Sequence, residues 1–64
     1  MPQISLKAAR VNANLTQAEV AKRLHKSKQT ITNWESGKTK VPAADLLVLC
    51  EMYKISPSAI HLPQ

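Results

Sequence analysis

Between Gln17 and Glu35 the chain reads QAEVAKRLHKSKQTITNWE, and its apolar residues fit two short helices that meet at a sharp bend. Val20, Ala21 and Leu24 recur at spacings of one, three and four. At about 100° per residue they share one face of a helix. Ala21 is small where two helices must cross closely. Thr16 precedes the run and Glu19 follows it by three, the pattern of a capping box in which hydroxyl and carboxylate each satisfy the other residue's amide. Ser27 can cap a second helix whose buried residues are Ile31 and Trp34, again three apart. Only His25 and Lys26 are left between the two, enough for a tight corner. The pattern is that of a helix-turn-helix.

The flanking segments predict a scaffold for this pair. A first helix runs from about Ser5 to Ala13, with Leu6, Ala9 and Ala13 inward, and ends at Asn14, which tolerates the left-handed conformation. Gly37, the only glycine, stops the second half of the motif within the loop Ser36 to Val41. Pro42 opens a fourth helix with Asp45 in its first turn, where negative charge suits the dipole, and with Leu46, Leu49, Cys50 and Tyr53 as its buried stripe. Ser56 and Pro57 mark a last short helix that carries Ile60 inward. The expected fold class is therefore all-α, five short helices forming one domain over residues 1–64. That length is close to the lower limit for folding without staples.

The fourth helix is more apolar than one stripe requires. With Leu46 at zero on the wheel, Leu47 falls at about 100°, Val48 at about 200° and Met52 at about 240°. Leu47, Val48, Met52 and Leu62 are candidates for a surface covered by another molecule, the alternative being contact with the last helix or single exposure.

Charge sharpens the picture. The net charge is +5, and residues 22–40 alone hold Lys22, Arg23, Lys26, Lys28, Lys38 and Lys40 against Glu35. Residues 41–64 hold Lys54 against Asp45 and Glu51. A basic stripe on an outward helix is the footprint of a phosphate-binding surface. On the outward face of the motif's second helix, Lys28, Gln29, Thr32 and Asn33 lie one turn apart. Gln and Asn pair with adenine N6 and N7, Lys donates to guanine O6 or N7, and the Thr methyl can touch thymine. Such a face is also compatible with plain solvation, and its coincidence with the bend and the charge is what favours base reading.

These residues, with Leu6, Arg10, Leu15, Gln17, Ala21, Ile31, Trp34-Glu35 followed by Gly37, Pro42, Leu46, Leu49, Tyr53, Ile55-Ser56 and Ile60, resemble the lambda-repressor-like (XRE-type) helix-turn-helix family, which includes phage repressors and Cro proteins. The resemblance covers nearly the whole chain. It implies a regulator that binds double-stranded operator DNA as a homodimer, with Lys28, Gln29, Thr32 and Asn33 reading bases. It implies phosphate contacts from Arg10, Gln17, Ser27, Lys38, Thr39 and Lys40, and dimer contacts from the C-terminal part, for which Leu47, Val48, Met52 and Leu62 are the candidates. Arg10 and Glu35 match positions that pair across the domain in some relatives. Two positions depart from the pattern. His25 stands where Gly is usual, because the chain there takes positive φ, and Lys26 replaces an aliphatic residue, leaving that contact to its methylene stem or to nothing.

Other classes find less support. There is no Gly-rich phosphate loop, no HExxH and no paired carboxylates, so an enzyme is not expected. His25, Cys50 and His61 match no metal framework, and no cofactor or metal is expected. The single Cys50 forms no internal disulfide, and no segment reaches the roughly 20 apolar residues that span a bilayer, so the expectation is a soluble cytoplasmic protein without membrane contact. The main alternative is a protein-interaction module of the same fold, such as an antitoxin-like partner. Such a surface favours aromatic or aliphatic anchors over Lys28, Gln29, Thr32 and Asn33.

Overall fold

A computed structural model describes residues 3–62, so the first and last two positions of the expected 1–64 unit lie outside the described residues. Four α-helices carry the fold: α1 (Leu6–Asn12), α2 (Gln17–Leu24), α3 (Lys28–Ser36) and α4 (Ala43–Tyr53). Each of the first three starts at a residue that caps it. Ser5 accepts from the Ala8 amide, Thr16 from Glu19 and Ser27 from Thr30. At Thr16 the Glu19 carboxylate also accepts from the Thr16 amide at 3.0 Å, closing the expected capping box. Because Ser5 is a cap, α1 is shorter than the expected Ser5 to Ala13.

All four helices end in one way. Asn14, His25, Gly37 and Lys54 each take positive φ, between 55° and 82°, just past the last helical turn. The next amide in each case bonds back to a carbonyl five residues earlier: Leu15 to Arg10, Lys26 to Ala21, Lys38 to Asn33 and Ile55 to Cys50, at 2.9–3.2 Å. This is the Schellman closure, which satisfies carbonyls that a helix end leaves open. Leu15 and Ile55 then pack against the core. Lys26 stays exposed, so its methylene stem does not replace the aliphatic contact usual at that position.

The core consists of Leu6, Ala9, Val20, Ala21, Ile31, Trp34, Leu49, Cys50, Tyr53 and Ile60. Ala13 and Leu46 are only half-buried at its edge. Val20, Ile31 and Leu49 are its most completely enclosed large side chains, each worth about 1.5–3 kcal/mol of burial.

The fifth expected helix is a correction. Ser56 accepts from the Ser58 amide and Pro57 follows as the first residue, but only one 3-10 turn forms, Pro57–Ala59. The chain then extends as β2 (Ile60–His61), which pairs in parallel with β1 (Ile4–Ser5), Ile4 opposite Ile60 and Ser5 opposite His61. Ile60 is buried as expected, from a strand instead of a helix. The described residues thus form a mostly helical small domain with four helices, joined at its two ends by this short parallel pair.

Candidate nucleic-acid interface

The bend between α2 and α3 is built by His25, whose φ of 56° and ψ of 40° turn the chain so that Ser27 can cap the next helix two residues on. Ile31 and Trp34 anchor α3 inward. Lys28 and Gln29 are exposed on its other side, and Thr32 and Asn33 are half-buried one turn later. Gln29 Nε2 donates to Asn33 Oδ1 at 2.9 Å. One hydrogen bond between two carboxamides leaves a free carbonyl on one and a free NH2 on the other, whichever way the pair is oriented. Gln29 and Asn33 together therefore keep one carbonyl and one NH2 group entirely open.

Beneath this face a carboxylate joins three helices. Glu35 Oε2 accepts from Arg10 Nε at 2.7 Å, and Oε1 accepts from Arg10 Nη2 at 3.3 Å and from Gln17 Nε2 at 2.9 Å. Arg10 Nη1 donates to the Leu15 carbonyl at 2.9 Å. The side chains of Arg10 and Glu35 are only 10% and 7% exposed. Hydrogen bonding to Glu35 raises the Arg10 pKa further, so the guanidinium stays charged throughout. The Arg10–Glu35 pairing implied by the resemblance is present. Three of the five guanidinium N–H groups are engaged within the protein.

The other candidate phosphate ligands fall into two groups. The Gln17 side chain is turned onto α3, where its Oε1 accepts from Thr32 Oγ1 at 3.2 Å. Ser27, Lys38, Thr39 and Lys40 are exposed. The amides of Lys38 and Thr39 bond to the Asn33 carbonyl at 3.0 and 3.4 Å, so the basic loop is tied to a residue of the polar α3 face. The Gln17–Glu35 and Gln17–Thr32 contacts had no local signature, since their partners lie 18 and 15 residues apart.

A helix-turn-helix family model matches residues 6–60, from the first residue of α1 to the first of β2. The chain belongs to the XRE-type, lambda-repressor-like helix-turn-helix family. The matched span takes in α1–α4 together with the basic loop and the 3-10 turn, so the resemblance seen in the motif extends over the helical scaffold. The family is one of DNA-binding transcription regulators. Comparison with characterised proteins and with solved structures returns no match.

Of the four expected dimer residues in this XRE-type domain, Leu47 and Val48 are 60% and 42% exposed on α4. Met52 and Leu62 pack partly against the core. Among the described residues no helix is long and apolar enough to cross a membrane, and no group of three metal-ligating side chains is present.

Proposed function

We propose that this protein is a sequence-specific double-stranded DNA-binding transcriptional regulator of the phage or bacterial repressor and Cro type, which inserts α3 into the major groove of a palindromic operator as a dimer. The observation that carries this reading is the polar row of exposed Lys28 and Gln29 and half-buried Thr32 and Asn33 on a helix whose opposite side is anchored by Ile31 and Trp34. In this reading those four residues contact base edges. The carbonyl and the NH2 left open by the Gln29–Asn33 pair suit adenine, whose N6 donates and N7 accepts.

Phosphates are held by Ser27, Lys38, Thr39 and Lys40 and by the backbone amide of Gln17 at the α2 N-terminus, where the dipole favours an anion. Arg10, with two N–H groups still free, adds to the field at the backbone and orients its neighbours.

Selection of bound duplexes from a random pool tests the proposal. A palindrome with half-sites about one helical turn apart is expected, with adenine prominent in each. On the selected site, Gln29→Ala or Asn33→Ala should cost roughly 1–3 kcal/mol and blur the preference at one position. Lys38→Ala or Lys40→Ala should instead weaken all duplexes about equally and flatten the salt slope by about one unit for each phosphate no longer neutralised. Absence of salt-dependent retention on any duplex would favour the interaction-module alternative.

A further inference from the structure

The Gln17 carboxamide sits between an anion and a hydroxyl, and that fixes its orientation. Its NH2 end must face Glu35, because a carboxylate only accepts. Its carbonyl end then faces Thr32, whose hydroxyl is the donor. Thr32 Oγ1 also lies 3.1 Å from the Lys28 carbonyl, so a single proton serves two acceptors. Held between Gln17 Oε1 and the Lys28 carbonyl, Oγ1 fixes Thr32 χ1 and with it the direction of the Thr32 methyl. Arg10 completes the chain on the far side of Glu35. The first turn of α2 is thereby locked to the middle and end of α3 through one neutral side chain.

We propose that Gln17 is a positioning residue: clamped between the Glu35 carboxylate and the Thr32 hydroxyl, its side chain sets the pose of the α3 groove face and so governs discrimination between DNA sequences, instead of holding a phosphate. The inference rests on the DNA-reading function proposed above. It separates two roles that a glutamine at a helix N-terminus could play. A phosphate ligand strengthens binding to every duplex, whereas a positioning residue matters only where base contacts depend on the pose.

The test uses Gln17→Met, which keeps the length of the side chain and removes both hydrogen-bonding groups, and Thr32→Val, which removes the hydroxyl. Affinities of the wild type, both variants and the double variant are measured for the selected duplex and for an unrelated duplex of equal length. Salt is held constant, and circular dichroism sets a temperature at which every variant is fully folded. Gln17→Met should lower the selected-to-unrelated ratio by about tenfold while changing affinity for the unrelated duplex by less than about twofold. The double variant should lose less than the product of the single losses, because both act through one contact. Gln17→Glu should lower the ratio as well, since a carboxylate cannot donate to Glu35. Equal weakening on both duplexes would overturn the proposal in favour of a phosphate ligand, and an unchanged ratio in Gln17→Met would overturn it outright. If the wild type itself distinguishes no duplexes, the DNA-reading function fails first, before any variant is compared.

Discussion

Tyr53 is 8% exposed at the end of α4, close enough to Arg10 and Glu35 to feel both charges. Burial, helped by the Glu35 carboxylate and opposed by Arg10, pushes its pKa from 10.0 up to about 12. The neutral phenol is thus the form the fold prefers. Stability from this group is fully present below pH 10 and is lost as pH rises from there towards 12. Chemical denaturation across this window should show falling stability in the wild type and a shallower fall in Tyr53→Phe, which has no phenolic proton to lose. Parallel curves for the two proteins would show that the Tyr53 phenol does not drive the alkaline loss. The neighbouring Arg10–Glu35 ion pair is buried, and removing one partner leaves the other unsatisfied at a cost of about 3–5 kcal/mol.

At the scale of elements, caps at both ends decide where helices begin and stop. Thr16→Ala removes the acceptor for the Glu19 amide and should cost about 1 kcal/mol in thermal or urea unfolding. The Glu19 pKa lies below its ordinary 4.5 because the Thr16 amide and hydroxyl bond to its carboxylate. That contribution is therefore present above the ordinary value and disappears as pH falls through the lowered one. Glu19→Ala removes the carboxylate that accepts from the Thr16 amide, so its deficit should shrink in acid, and a deficit constant with pH would argue against the reciprocal box.

Such local devices were legible in the sequence, because Thr16 and Glu19, or Ser27 and Thr30, lie within one turn of each other. Asn14, His25 and Gly37 were recognisable as residues that accept positive φ. Lys54 was not, since nothing in a lysine announces a left-handed cap and only the closing bond from Ile55 to Cys50 requires it. The supposed fifth helix failed for a non-local reason. Ser56 and Pro57 start a turn correctly, but Ile60 pairs with Ile4 across the chain instead of continuing the coil. The Gln17 clamp lay hidden for the same cause, since its partners are brought near only by the bend at His25.

For the whole molecule, α4 is the element whose apolar content exceeds what the core absorbs. Leu49, Cys50 and Tyr53 are buried, Leu46 and Met52 are half-buried, and Leu47 and Val48 remain 60% and 42% exposed side by side. The basic loop and the outward face of α3 precede α4 in the chain. If these residues form the proposed dimer contact, Leu47→Glu together with Val48→Glu places like charges against each other across an isologous interface. The double variant should keep its fold by circular dichroism, because neither side chain belongs to the buried core. It should bind an isolated half-site as the wild type does. On the full palindrome its affinity should fall by about tenfold or more, the loss expected when two linked binding events become independent. Equal affinity of variant and wild type for the palindrome would remove α4 from the proposed dimer contact and leave the proposed role of α3 unaffected.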